Sequence, residues 1–252
     1  FIIFIYSIFI EPNMLVIKKY KIKDEELKGI KLVFVSDFHI KTYQEERLKK
    51  TVDLINNQNA DIVLSTGDYI SQHSLKSTLS VNKIAEYISE IQSKYGYYTT
   101  LGNHDAYKGE GSINSALNKY GIKILNNENV SIKINEKTIY IGGIEDYQSG
   151  KPSISQALNN IQKPIILLSH NPDMFMKVPD NVNLTLAGHT HGGQIRLPFI
   201  GALIIPSKYR NKYATGYINE NGRKMIVTNG IGTSIIPVRF NCKPEIVVIE
   251  FE

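Results

Sequence analysis

Cysteine is almost missing from this chain: Cys242 stands alone among 252 residues. A single thiol cannot close an intramolecular disulfide, and it rules out a zinc site built on several cysteines. The redox compartment stays open, because an oxidising location does not require disulfides. Tryptophan is absent, which fits a compositional bias toward Lys, Asn and Ile. No internal repeat, low-complexity tract or long linker interrupts the chain. No basic run carries interleaved aromatics, and a formal net charge of +5 is weak support for a nucleic-acid surface. Nucleic acid is therefore not expected as a partner. A mild basic excess also suits an anionic substrate or membrane, but it is common in Lys-rich proteins that bind neither.

What is present begins with an uncharged apolar run, Phe1 to Ile10, stopped by Glu11-Pro12-Asn13. Ten helical residues cover only about half a bilayer core. The chain does not start with Met, so the run is expected to be the end of a longer segment. It suits the end of a membrane anchor, the end of a signal peptide or an apolar strand. The abrupt polar stop favours the anchor over the strand. The expected organisation is an anchor remnant at 1–10 and one domain at 11–252. Membrane association through the N-terminus, at a bacterial membrane or envelope, follows as an expectation.

Downstream, strands and helices alternate. Strands are expected at Leu15–Ile22, Ile30–Ser36, Ile62–Thr66 and Tyr97–Leu101, with amphipathic helices at Glu45–Asn57 and Leu79–Gln92. A helix at Gly111–Lys119 and short strands at Lys123–Leu125, Val130–Ile134 and Thr138–Gly142 come next. Ser153 caps an expected helix to Asn160. Strands at Ile165–Ser169, Leu184–Ala187, Met225–Thr228 and Ile246–Phe251 complete the pattern. Such alternation predicts an α/β fold in which two packed sheets are flanked by helices.

Five of these strands end on unusual polar residues. They are Asp37-Phe38-His39, Gly67-Asp68, Gly102-Asn103-His104-Asp105, His170 and Gly188-His189-Thr190-His191. Ligands bind at the carboxyl ends of strands in layered α/β folds, so these side chains can converge. Five of the six histidines lie inside the motifs, and only His73 lies outside. Carboxylate, imidazole and amide oxygen suit a pair of metals. If the backbone stays extended, Asp37 and His39 at i and i+2 face the same way. Asp68 can bridge two cations. Asn103 can ligate, His104 can face the substrate, and Asp105 can orient His104 through its other ring N–H.

The ordered set Asp-x-His, Gly-Asp, Gly-Asn-His-Asp, His and Gly-His-x-His resembles the calcineurin-like metallophosphoesterase superfamily from about Ile30 onward. Ser169-His170-Asn171-Pro172-Asp173, Ala187 to Gln194, and the ending Asn229 to Thr233 with Pro237-Val238-Arg239-Phe240 resemble its bacterial membrane-anchored or exported branch. The resemblance implies a four-layer α/β/β/α sandwich of two mixed sheets flanked by helices, the metallophosphoesterase fold. It implies two divalent metal ions, such as Mn, Fe or Zn. Asp37, His39 and His191 would hold one, Asn103, His170 and His189 the other, with Asp68 bridging. His104 and Asp105 would be catalytic. Relatives often carry Gly where this chain has Lys41, so Lys41 is free to reach substrate phosphate. Arg196 and Arg239 join it as candidate substrate contacts, and Arg196 to Tyr217 is a candidate substrate loop. The expected reaction is hydrolysis of a phosphodiester, pyrophosphate or monoester by a metal-bridging hydroxide. The apolar start suggests a lipid-linked or envelope ester as substrate. A nuclease, a protein phosphatase and a non-catalytic metal-binding regulatory domain are the alternatives.

Overall fold

The computed structural model describes residues 2–71, 78–107 and 110–252. His73 lies outside the described residues. Two six-stranded mixed sheets form the body of the molecule. The first runs β1 (Val16–Ile22), β14 (Glu245–Phe251), β2 (Lys31–Val35), β3 (Ile62–Ser65), β4 (Tyr97–Thr99), β5 (Lys123–Ile124). The second runs β12 (Gly216–Glu220), β13 (Arg223–Val227), β9 (Leu184–Ala187), β8 (Ile165–Ser169), β7 (Lys137–Gly143), β6 (Glu128–Ile134). In both sheets the central strands are parallel: β2, β3, β4 and β5 in one, β7, β8, β9 and β13 in the other. Within these two sheets, β14 with β2, β7 with β6 and β13 with β12 pair antiparallel.

The side-chain period of two explains the layering. Leu32, Phe34, Ile62 and Leu64 point between the sheets, where they meet Ile139, Ile141, Ile166, Leu168 and Leu186. The alternate residues Val33, Val35 and Val63 point outward. They pack on α2 (Glu45–Asn56), α3 (Val81–Ser89) and α5 (Glu110–Lys119) through Leu48, Val52, Ile84, Ile88, Ile113 and Leu117. Each fully buried Ile, Leu or Phe contributes about 1.5–3 kcal/mol. Central strands covered on both faces read as continuous apolar runs, which is why β2, β3, β8 and β9 stand out in the sequence.

The second sheet has a thinner cover. Ile165, Leu167, Met225 and Val227 meet Ala157 of α6 (Ile154–Ala157), and Met174 and Phe175 from a 3-10 segment, Pro172–Lys177. The helix expected to reach Asn160 stops after one turn. Ser153 Oγ accepts the Gln156 N–H at 3.3 Å as expected, but Asn160 takes a left-handed φ of 58° and ends the turn. The N-terminal run is helical rather than extended: α1 (Ile2–Ile5) continues into a π-type turn, Tyr6–Ile10, and a 3-10 turn, Glu11–Asn13. Among the described residues, no helix is long and apolar enough to cross a membrane.

Candidate metal centre

The parallel strands β2, β3 and β4 deliver their carboxyl ends to one rim of the first sheet, and β8 and β9 do the same in the second. The loops that follow are coiled rather than extended. Asp37, His39, Asp68, His189 and His191 have φ values of 54°, 44°, 55°, 69° and 50°. The expectation that i and i+2 side chains share a strand face is thereby corrected. They converge because left-handed residues turn the loops and neighbouring loops pair with one another. Backbone pairing fixes this path: Asp37 N–H donates to Gly67 O at 2.9 Å and His39 N–H to Asp68 O at 3.1 Å. Left-handed conformations cost roughly 1–3 kcal/mol each and persist where surrounding structure over-determines them. Two glycines make room. A Cβ on Gly188 would collide with the Asp37 carboxylate and Ser36 Oγ, and one on Gly102 with Asp68 and His170.

The seven expected ligands come together in two groups joined by one carboxylate. In the first, His39 Nε2 lies 3.1 Å from His191 Nε2, which lies 3.4 Å from Asp37 Oδ1. In the second, Asn103 Oδ1 lies 3.0 Å from His189 Nδ1 and 3.2 Å from His170 Nε2. Asp68 Oδ2 stands between them, 3.5 Å from His39 Nε2 and 3.2 Å from His170 Nε2. All seven residues are buried.

This donor set of carboxylates, imidazoles and one amide oxygen fits metal ions. His39 Nδ1 and His170 Nδ1 each face a backbone carbonyl at 2.8 Å, of Ile70 and Thr66 respectively. Each carries a proton there, which turns Nε2 inward, as a lone pair on neutral His39 and as a second N–H facing Asp68 Oδ2 on His170. The neutral rings of His39 and His191 thus bring two Nε2 atoms to 3.1 Å, an approach that suits a shared cation, while at His170 a cation would take the place of the proton. Burial drives His39 down to about 3 and His189 to about 4, so both stay neutral ligands. Burial works against charge on Asp68 and His170 alike, but their mutual attraction wins. Asp68 is held well below the usual carboxylate range and His170 is raised to about 10. The protein thus favours positive charge where the shared carboxylate lies.

His104 sits at the start of α4 (Asn103–Tyr107). Its backbone N–H donates to Asp68 Oδ1 at 2.9 Å, and its ring meets His39 edge-on at 4.7 Å. Asp105 takes a different position from the one expected. Its described hydrogen bonds accept the backbone N–H groups of Asp68 at 2.7 Å, Tyr69 at 2.9 Å, Gly102 at 3.1 Å and Ile70 at 3.4 Å. It ties the β3 and β4 loops together beneath the site.

The three expected substrate contacts separate. Arg239 is fully buried, and its guanidinium donates to the carbonyls of Cys242, Asn229, Gly230 and Gly232. Its expected contact with substrate is corrected: the side chain is buried, and four carbonyls engage its two terminal nitrogens. Arg196 donates to Gly192 O at 3.1 Å, bracing the turn after His191. Lys41 opens the 3-10 turn Thr42–Gln44, with no described contact to the ligands. Sequence reading missed Gln148, whose side-chain amide lies 3.2 Å from His189 Nε2. Gln148 follows β7 in the polar run Glu145 to Gly150, and its position after a parallel strand was the available signal.

The model of the calcineurin-like phosphoesterase family matches residues 30–193. The chain belongs to that family. The metallophosphoesterase YkuE of Bacillus subtilis is 31% identical over 254 residues, covering 96% of this chain and 87% of the relative. The phosphodiesterase YaeI of Escherichia coli is 27% identical, covering 97% and 91%. Among solved structures, a dimetal phosphatase from Danio rerio shares the fold at TM-score 0.54 and 11% identity, covering 81% of this chain and 88% of that one. The NAD nucleotidase of Haemophilus influenzae aligns at TM-score 0.54 and 18% identity, with 81% of this chain on 45% of that one. The chain thus spans less than half of the nucleotidase. As a member of the calcineurin-like family, it is a metal-dependent phosphoester hydrolase with two mixed sheets flanked by helices.

Proposed function

We propose that the chain hydrolyses a phosphodiester with a pair of divalent cations. The observation that carries this is the Asp68 carboxylate, within 3.5 Å of ligand nitrogens from both groups. Asp37, His39 and His191 would hold one cation, Asn103, His170 and His189 the other, with Asp68 shared. Cations held there lower the pKa of water and neutralise phosphoryl oxygens. We assign His104 to the leaving oxygen, as proton donor or charge stabiliser, because its ring borders the His39 end of the site and its backbone is tied to Asp68. Asp105 keeps that geometry by holding four amides of the two loops. The name of the Escherichia coli relative favours a diester over a monoester. The exposed apolar side chains of Ile2, Ile3, Phe4 and Phe9 support membrane association through the N-terminus, and with it a lipid-linked ester.

The test uses chain stripped of metal and reloaded with manganese, assayed on a chromogenic phosphodiester. Two metals per chain and metal-dependent turnover are expected. His104→Ala should lower turnover roughly 100- to 10,000-fold while keeping both metals. Full turnover with one metal or none refutes the paired site, and unchanged turnover in His104→Ala removes that residue from the chemistry.

A further inference from the structure

Directly after the metal-ligand turn at His191, the chain makes a small hairpin of β10 (Arg196–Leu197) and β11 (Gly201–Ala202). Its tip and outgoing strand expose Phe199, Ile200, Leu203 and Ile204 together. Ile235 and Ile236 are exposed as well, and the Gln194 side chain links their segment to the hairpin base: it accepts the Ser234 N–H and donates to Ile236 O and Val238 O. The N-terminal helical run joins the same segment, where Arg239 N–H donates to Ser7 O at 2.9 Å. Phe199 and Ile235 hold left-handed φ values of 65° and 60°. For a bulky and a β-branched residue this is a strained conformation. Here the strain displays apolar side chains to water instead of burying them. An exposed apolar group of this extent marks an interaction surface.

Charge beside the hairpin indicates what the surface meets. The Asn211 side chain clamps Ala202 by accepting its N–H at 3.2 Å and donating to its carbonyl at 3.3 Å. This brings the exposed segment with Lys208, Arg210 and Lys212 beside β11; Lys212 Nζ pairs with Glu220 at 2.9 Å and Lys208 with the Tyr147 hydroxyl, whereas Arg210 has no described side-chain partner. Apolar side chains at a tip with cations alongside match a bilayer's two layers, acyl chains beneath anionic headgroups.

We propose that the Phe199–Ile204 hairpin, with Ile235 and Ile236, inserts into the surface of an anionic lipid bilayer and holds the metal centre against it. The hairpin packs on the turn that carries His191, since a Cβ on Gly193 would meet Ala202. Insertion therefore fixes how far the metal site stands from the headgroups. The proposal deepens the membrane reading given above. It differs in assigning the contact to the hairpin rather than to the N-terminal run alone.

The experiment is co-sedimentation of the full chain with vesicles of phosphatidylglycerol and phosphatidylcholine, and of phosphatidylcholine alone. Binding to the anionic vesicles that weakens with salt is expected. The pair Phe199→Ser and Ile204→Ser should lower it roughly tenfold or more, the equivalent of one well-buried apolar side chain. Phe4→Ser with Phe9→Ser tests the N-terminal run. Binding lost only in that second pair, or no binding by the parent chain, overturns the proposal. So does a concentration-dependent dimer abolished by the hairpin pair, which assigns the surface to a second copy. Metal content and turnover of the soluble chromogenic diester, measured on every variant, report folding and the phosphoesterase reading separately from vesicle binding.

Discussion

The two halves of the metal centre have the same number of imidazoles but not the same charge. Asp37 gives the first group a carboxylate of its own, besides the shared Asp68. The second group has the neutral Asn103 amide in that position. In depth they overlap: Asp37, His39 and His191 are 0, 1 and 4% exposed, and His170, Asn103 and His189 are 0, 6 and 7%. The additional carboxylate would favour a cation in the first group. On the paired-cation reading proposed above, the first pocket would retain its cation and the second exchange it, around the Asp68 carboxylate.

Removing the bridge should have the largest effect. Asp68→Asn leaves both groups without their common anion. Turnover is expected to fall roughly a thousandfold or more, the order seen when one partner of a buried charge pair is lost. Metal analysis should show both sites depleted, and two metals retained at normal affinity would refute the bridging role. Next come the two single ligands. Asp37→Asn should cost more metal affinity than Asn103→Ala, because it removes a charge rather than a dipole. Calorimetric titration of manganese into stripped protein reads this as two unequal steps in the parent. Equal losses from the two variants would abolish the distinction drawn here. The smallest effect is expected from Gln148→Ala, which frees the outer nitrogen of His189. It should weaken only the second step, by roughly 10- to 100-fold; a change confined to the first step would place Gln148's influence elsewhere.

The clustering of the candidate ligands was legible in the sequence because these residues end buried, apolar strands. Runs such as Ile165 to Ser169 announce both the strand and the point where it stops. Backbone direction was not legible: Asp-x-His at i, i+2 suits an extended strand as well as the coiled, left-handed loop that occurs. Arg239 misled for a related reason. An arginine near the chain end reads as exposed, and only the fold shows four carbonyls crowding around it. β10 and β11 are two residues each, too short for any period to register, and β12 was read partly as loop. The N-terminal run was ambiguous because its β-branched residues favour a strand locally, while contacts through Ser7 and Glu11 settle it as helix.

Gly102 and Gly188 carry a consequence beyond catalysis. Every single-base change in a glycine codon that replaces glycine with another amino acid adds a carbon at Cβ. At these two positions that carbon meets a ligand carboxylate, Asp68 in one case and Asp37 in the other. The metal centre therefore rests on two points with no small mutational step away from them. Drift toward a different metal or a different ester has to begin elsewhere, in the loops that surround the ligands rather than in the backbone that seats them.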